Sequence, residues 1–265
     1  MSGSVYLLDN LAVEAGERFD SLGALFDRVT FRHLQDLGLR EGVRCLEVGA
    51  GGESVVRWLG ERVGPSGRVL ATDIDPRWLA ALSLPNVEVR RHDIACDPLP
   101  SGGFDVIHAR LVLSHVPRCE EALARMAGAL APGGWILVED FDSDLVPEAC
   151  WDAADAGGAL ANKVRQAFRE LLGRRGADLQ LGRKLPRLLE AQSLVDVGAD
   201  GHLTVRGGEP ARRLERSNVA QVSAALVEAR LLDEEELRRF FDLLDAGAVN
   251  PSFPPLISAW GRRPA

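Results

Sequence analysis

The residues best suited to chemistry lie at positions 43–55, where the sequence reads VRCLEVGAGGESV. An apolar run that contains Glu47 leads into a glycine-rich turn, Gly49-Ala50-Gly51. Because glycine has no Cβ, a ligand can lie directly against the backbone of such a turn. The next residues favour a helix, whose N-terminal amides would point towards the same ligand. We therefore predict a ligand-binding turn at this position.

The glycine spacing alone leaves two interpretations of this turn open. A dinucleotide site has the spacing G-x-G-x-x-G; Gly49 and Gly51 fit, but Ser54 stands at the third glycine position. A nucleoside-sulfonium site has an acid two residues before the first glycine, followed by G-x-G-x-G. Glu47 fits as that acid, but Glu53 stands at the third glycine position.

Two further carboxylates follow predicted strands on the carboxyl side of this turn. Asp73, followed by Ile74, ends the second strand, where a carboxylate can accept hydrogen bonds from both hydroxyls of a ribose. Asp93 ends the third strand and could accept an adenine amino group, with Ile94 as an apolar contact. Both positions agree in register with the glycine turn and favour a nucleoside ligand. Capping of the strand ends is the alternative role for both carboxylates.

Two histidines lie in or after the fourth predicted strand. His115 follows that strand at its carboxyl end. Because an imidazole titrates near neutral pH, we predict His115 as the candidate general base. The alternative is a histidine at a helix start that only bonds to the backbone. His108 lies within the strand, and for it we predict a buried histidine with satisfied hydrogen bonds.

An acidic run, EDFDSD at residues 139–144, leaves the fifth predicted strand at the same edge. It could supply a base, a site for a cationic substrate or ligands for a hard metal ion, or it could be a solvated acidic turn. No matching ligand set stands out elsewhere, so we predict no metal site.

The order of predicted elements indicates an α/β fold. Strands are predicted at 43–48, 68–72, 87–90, 104–109, 135–139, 195–205 and 254–261, and helices at 5–38, 54–63, 78–82, 119–130, 148–172, 185–192, 210–230 and 233–244. Alternating strands and helices are typical of a parallel sheet with helices on both faces. The late helices interrupt the last strands. We predict one compact domain with a helical cover.

The composition restricts the partners of the chain. The 265 residues carry a net charge of −8, which gives no overall attraction to nucleic acid. The four cysteines form no CxxC pair, which favours free thiols in a reducing cytoplasm. There is no signal-peptide pattern and no apolar stretch of about 18 residues, so we predict neither secretion nor a membrane partner.

Four motifs together resemble the class I S-adenosylmethionine (SAM) dependent methyltransferases. They are CLEVGAGGES, VLATDIDP, RRHDIACDPLPSGGFDVIHARLVLSHVP and MAGALAPGGWILVED, which occur in this order over roughly residues 43–141. Within that family, the chain is most similar to bacterial small-molecule methyltransferases with a helical lid. The resemblance implies a Rossmann-like, doubly wound and mostly parallel sheet of seven strands. It divides a single domain, 1–265, into an N-terminal helical segment (1–40), a SAM-binding core (41–140) and helical cover elements (141–192 and 209–245).

The resemblance also implies residue roles. Glu47 would lie near the amino group of SAM, and Gly49, Ala50 and Gly51 would lie against its methionine part. Asp73 would contact the ribose, with Ile74 next to it as a further cofactor-binding residue, and Asp93 with Ile94 would contact adenine. The stretch that ends at Arg110 would pass the methionine end. Glu53 departs from the family pattern: it either crowds the turn or points outward from the helix start, where the helix dipole favours an acid.

The function implied is methyl transfer from SAM to an oxygen, nitrogen or carbon atom of a small molecule of specialised metabolism. One alternative is a NAD-dependent oxidoreductase on a related fold. Another is a SAM-binding protein that transfers no methyl group, either an enzyme or a regulatory protein. The sequence does not define the oligomeric state, and a homodimer is retained as an option.

Overall fold

The computed structural model describes residues 14–100, 103–146, 148–151 and 155–265, which form two compact units. The sheet unit comprises Asp27–Phe141, Leu181–His202 and Leu256–Ala265. The helical unit comprises the described residues up to Phe26 together with those of Asp142–Gln180 and Leu203–Pro255. The single domain predicted for 1–265, with its subdivisions, stays a prediction.

The sheet unit is built on seven strands in the order β3-β2-β1-β4-β5-β7-β6. The strands are β1 (Arg44–Val48), β2 (Arg68–Asp73), β3 (Val87–Arg91), β4 (Phe104–Arg110), β5 (Leu130–Phe141), β6 (Val195–His202) and β7 (Leu256–Arg262). Strands β1 to β5 pair in parallel, whereas β7 runs antiparallel to both β5 and β6. This arrangement confirms the predicted α/β class and the mostly parallel seven-stranded sheet.

Seven α-helices are described along the chain. They are α1 (Glu14–Asp36), α2 (Glu53–Val63), α3 (Cys119–Ala129), α4 (Ala156–Arg174), α5 (Leu181–Glu190), α6 (Gly208–Glu228) and α7 (Glu234–Asp245). Two short 3₁₀ helices, Pro76–Leu79 and Leu113–His115, follow β2 and β4. The helix predicted at 5–38 is described from Glu14, and its first residues lie outside the described ranges.

Both faces of the sheet are covered, because the inner strands carry buried apolar side chains on both sides. One face packs against the second half of α1 and against α2, with Leu34 and Val56 meeting Leu137 of β5 in a common cluster. The opposite face packs against α3 and α5. Because side chains alternate along a strand, residues two apart share a face. Polar residues of β5 that lie an even number of positions from Leu137 therefore point to the α1 side of the sheet.

The helical unit has a core of its own, in which α4, α6 and α7 pack against one another. Phe240 of α7 is fully buried in this cluster. Between α4 and α6, Arg165 donates to Glu215 through two hydrogen bonds, Nε–Oε1 at 3.1 Å and Nη2–Oε2 at 2.8 Å. Both side chains are almost fully buried. The ion pair therefore ties the two helices together inside an apolar core.

Among the described boundaries, the starts of β5 and α4 differ most from the sequence-based prediction. The sequence Pro132-Gly133-Gly134 was expected to precede β5, but β5 already begins at Leu130. The glycines stay in the sheet because Gly133 donates to the Arg263 carbonyl and accepts from Arg262 Nε. The register with β4 shifts between Phe104 and Val106, which accommodates the extra residues as a bulge.

Helix α4 begins later than the predicted start at residue 148. Asp155 caps the helix by accepting from the Gly158 amide. The side chain of Asn162 bonds to both the amide and the carbonyl of Cys150. These groups are therefore unavailable to an intrahelical ladder, and residues 148–151 are not helical. No described helix is long and apolar enough to cross a membrane.

Candidate functional site

The glycine turn after β1 has the backbone conformation that its composition predicts. Gly49 and Gly51 adopt φ angles of +65° and +59°, a region that side chains disfavour. A Cβ on Gly49 would lie 2.3 Å from Cγ2 of Val112, so the chain after β4 approaches this backbone closely. The Ala50 amide donates to the Thr72 carbonyl at the end of β2. The turn is thus held between the ends of β1 and β2 and the chain that follows β4.

Asp73 is the last residue of β2, and its carboxylate organises this turn. Oδ2 accepts from the Gly51 amide at 2.9 Å, and Oδ1 accepts from the Asp75 amide at 2.8 Å. The side chain is buried. An ionised carboxylate can accept about four hydrogen bonds, so holding two amides is compatible with binding a diol. The structure thus places Asp73 beside the glycine turn, as the sequence pattern predicts.

The predicted adenine contacts, Asp93 and Ile94, both follow β3, which is the neighbour of β2 in the sheet. Asp93 is half-buried and accepts from the Ala95 amide, a local turn contact. Ile94 is buried in the apolar cluster on the α3 side of the sheet. Ile74, next to Asp73, is 48% exposed and presents the larger apolar surface to solvent. Of the two isoleucines, Ile74 is therefore the more accessible to an aromatic ligand.

Glu47 is buried and forms part of a charged network. Its Oε2 lies 2.7 Å from Nδ1 of His108, and Nε2 of His108 lies 3.2 Å from Oε2 of Glu139. Burial lowers the pKa of His108, but the charge of Glu47 and the hydrogen bonds with both carboxylates outweigh burial and raise it to about 9. The prediction that His108 is buried with satisfied hydrogen bonds is confirmed.

Glu139 is the most strongly bonded of these groups. It accepts from Thr30 Oγ1 and, at 2.6 Å, from Ser258 Oγ. Burial alone would raise the pKa of Glu139, but the hydrogen bond from His108 and the nearby His33 ring, with Nδ1 3.7 Å from Oε1, hold it well below its ordinary value. Glu139 is therefore an ionised, fully buried carboxylate.

Arg110 ends β4, and its side chain turns towards α1. The guanidinium donates to Asp27 Oδ1 at 2.9 Å and to Thr30 Oγ1 at 2.9 Å. The predicted cofactor contact of Arg110 therefore falls to its backbone, since its side chain fixes α1 on the sheet. Sequence reasoning missed Asp27 and Thr30 because they belong to a helix that is remote in the chain.

His115 lies in the 3₁₀ helix after β4 and is half-buried. Its amide donates to the Val112 carbonyl, which gives the local turn. The neighbouring Ser114 amide donates to Asp140 Oδ2 at 3.1 Å, so β5 holds this turn at the carboxyl edge of the sheet. His115 thus stands in the segment that also covers Gly49.

The acidic run at 139–144, whose first three residues belong to β5, is not the solvated turn that we considered. Glu139, Asp140 and Asp142 are buried. Within the described ranges, no group of three or more His, Cys, Asp or Glu side chains is arranged to hold a metal ion. These acids instead accept hydrogen bonds inside the protein, as Asp140 does from the Ser114 amide.

Glu53, the irregular residue of the turn, is the first residue of α2. Its carboxylate pairs with Arg57 one turn along the helix. The side chain therefore points along the outer surface of α2 and does not crowd the turn. Of the two alternatives for Glu53, the outward orientation is the one observed.

The sheet order defines a Rossmann-like α/β fold, and the comparisons with known proteins define the family. The chain matches the family described as methyltransferase domain over residues 17–181, more than half of its length. It therefore belongs to this methyltransferase family.

The individual relatives agree with this assignment. Methyltransferase str2 of Strobilurus tenacellus is 31% identical over 182 residues, which cover 66% of this chain and 61% of the relative. Nocamycin O-methyltransferase of Saccharothrix syringae is 36% identical over 126 residues, which cover 44% and 45% of the two chains. The chain thus spans about three fifths of the length of the first relative.

A solved structure shares the fold. Phosphoethanolamine N-methyltransferase 2 of Haemonchus contortus, in complex with phosphomonomethylethanolamine and S-adenosylhomocysteine, has a TM-score of 0.60 and 15% identity. The match covers 98% of this chain and 60% of that one. At this identity the likeness concerns the fold.

Proposed function

We propose that the chain transfers a methyl group from SAM to a small-molecule acceptor of specialised metabolism. The observation that carries this proposal is the bare glycine turn, in which Gly51 is bound to the carboxylate of Asp73. Family membership favours the nucleoside-sulfonium interpretation of this turn over the dinucleotide interpretation. The name of one relative, nocamycin O-methyltransferase, supports a small-molecule acceptor.

The residues of the site suit SAM as the methyl donor of this proposal. Gly49 and Gly51 carry no side chains and have positive φ angles, so the methionine part would lie against peptide groups of the turn. Asp73 would accept the ribose hydroxyls, and exposed Ile74 would contact the nucleoside. Asp93 is the proposed partner of the adenine amino group. Glu47 would accept the amino group of the methionine part.

Bound SAM would supply an activated methyl group on a positive sulfur. The chain's own contribution is then to hold the acceptor in line with that group and to exclude water. If the acceptor is a hydroxyl or an acidic carbon, a base must also take its proton. His115 is the proposed base, because it lies at the carboxyl edge of the sheet beside the turn that covers Gly49.

The experiment is incubation of the purified chain with methyl-labelled SAM and acceptors grouped as phenols, alcohols, amines and acidic carbons. Transfer of label to one group is the expected result. An Asp73→Asn variant, which keeps the shape but loses the charged acceptor, should weaken SAM binding about tenfold or more. The matched control is Asp75→Asn, because Asp75 pairs with Arg77 at the surface. No transfer and no SAM binding would contradict the proposal.

A further inference from the structure

A row of buried polar side chains crosses the α1 side of the sheet. It runs from Glu47 in β1 through His108 in β4 to Glu139 in β5, and these side chains are at most 3% exposed. Thr30 of α1 and Ser258 of β7 complete the hydrogen bonds of Glu139. All of these residues belong to the sheet unit.

The strand register builds this row. Glu47 stands directly opposite His108 in the parallel pair β1–β4. Glu139 stands opposite Arg110, two residues beyond His108 and therefore on the same face. The row is thus fixed by backbone pairing and does not depend on a loop conformation.

The imidazole of His108 has a carboxylate at each nitrogen. An ionised carboxylate only accepts hydrogen bonds, so the ring satisfies both partners when it is protonated and donates from both nitrogens. Glu139 is anchored by two hydroxyl donors and by His108. Glu47 is the other end of the row, two residues before Gly49. Glu139 is therefore the fixed end of the row, and Glu47 is the end that lies next to the glycine turn.

We propose that His108 is a positioning residue that holds the Glu47 carboxylate in one orientation for the amino group of the cofactor. This inference rests on the proposed function and deepens it. A buried carboxylate without a partner is costly, and it tends to take up a proton or to reorient. The imidazolium removes both tendencies, so Glu47 is ready before the ligand arrives. Second-layer partners of this kind commonly fix the groups that touch a ligand.

The test compares two ligands that differ in the amino-acid end. S-adenosylhomocysteine carries the amino group, whereas 5′-methylthioadenosine keeps the nucleoside and the sulfur without it. In a His108→Leu variant, calorimetry should show S-adenosylhomocysteine weakened about tenfold or more and 5′-methylthioadenosine changed by less than about twofold. His108→Asn, whose amide can donate near the position of Nδ1, should recover part of the loss.

His33→Leu is the matched control, because it removes another buried histidine beside Glu139 that contacts Asp200 at 3.0 Å instead of Glu47. It should leave the ratio of the two affinities unchanged. Equal losses for both ligands in His108→Leu, or the same altered ratio in His33→Leu, would overturn the positioning role. Failure of the wild-type chain to bind S-adenosylhomocysteine would overturn the proposed function itself.

A measurement on the wild-type chain covers the case in which His108→Leu does not fold. Nitrogen-15 NMR of the histidine rings should show His108 protonated at both nitrogens at neutral pH. Its resonances should shift when S-adenosylhomocysteine binds and should stay in place with 5′-methylthioadenosine. A ring that responds equally to both ligands, or to neither, contradicts the proposal.

Discussion

Gly49 illustrates how a single residue shapes the site. Its residue type is dictated twice, once by a φ of +65° and once by Val112, which lies where a Cβ would be. The first requirement follows from the turn and can be read from the sequence. The contact with Val112 depends on how the chain after β4 packs against the turn. It could not be predicted, because no sequence pattern links Val112 to Gly49.

A Gly49→Ala variant separates these two requirements. The new methyl group would displace Val112 and the 3₁₀ helix that carries His115, so we expect a lower melting temperature and loss of S-adenosylhomocysteine binding. The matched control is Gly38→Ala, since Gly38 has a φ of +89° and nothing within 4 Å of its Cβ position. The control should cost only about 1 kcal/mol of backbone strain. Equal effects of both substitutions would refute the close approach of Val112.

His108 predicts a specific pH dependence of stability. Its surroundings are Glu47 from β1, Glu139 from β5, Arg110 on its own strand, and Asp27, Thr30 and His33 from α1. The folded pKa of about 9 lies above the unfolded value of about 6.5. The stabilisation is therefore fully present below about pH 6.5 and is lost as the pH rises through about 9.

The measurement is the free energy of unfolding of the wild type and of His108→Gln, which stays neutral throughout. The difference in the free energy of unfolding between the wild type and His108→Gln should decrease between pH 6 and pH 10 by an amount on the order of 3 kcal/mol. A difference that does not change with pH would show that His108 has the same pKa in the folded and the unfolded chain.

At the scale of elements, short-range patterns predicted most strands and helices within a few residues. Strand β2, for example, was expected at 68–72 and ends one residue later, at Asp73. The errors in the boundaries arise where a hydrogen-bond partner outside the local pattern determines where an element begins. Asn162 keeps residues near Cys150 out of α4, and the tail around Arg263 keeps Gly133 in β5.

The same limit applies to the candidate site. The types and the order of Glu47, Gly51 and Asp73 predicted where a ligand could bind. The pairing of Glu47 with His108 joins residues 61 positions apart and follows from strand order, which local patterns do not encode. The contact of Arg110 with α1 joins residues 83 positions apart and was likewise not predictable.

The buried ion pair between α4 and α6 gives a prediction at this scale. Glu215→Gln should destabilise the chain by about 3 kcal/mol, because Arg165 would remain buried with an unbalanced charge. Replacing both residues by apolar ones, Arg165→Met with Glu215→Leu, should restore much of that loss. Urea unfolding followed by circular dichroism measures both.

Glu209→Gln on the same helix is the control, since Glu209 pairs with Arg213 at the surface. Its midpoint should stay close to that of the wild type. A double variant as unstable as Glu215→Gln would mean that the helical unit depends on the charges themselves.

At the scale of the whole molecule, the two units differ in what they contribute. Every residue predicted to bind the cofactor, from Glu47 to Arg110, lies in the sheet unit, and so does His115. The helical unit is built from three separate chain segments around its own apolar cluster. Because the residues of the cofactor constellation belong to one unit, ligand binding should stabilise that unit by mass action.

The central claim is that this turn binds a sulfonium nucleoside and not a dinucleotide. Isothermal calorimetry of the purified chain with S-adenosylhomocysteine and, separately, with NADH tests it most directly. We expect one equivalent of S-adenosylhomocysteine to bind with a dissociation constant of about 100 µM or lower, which corresponds to about −5 kcal/mol or better, and no saturable heat with NADH. Saturable binding of NADH without binding of S-adenosylhomocysteine would contradict the account.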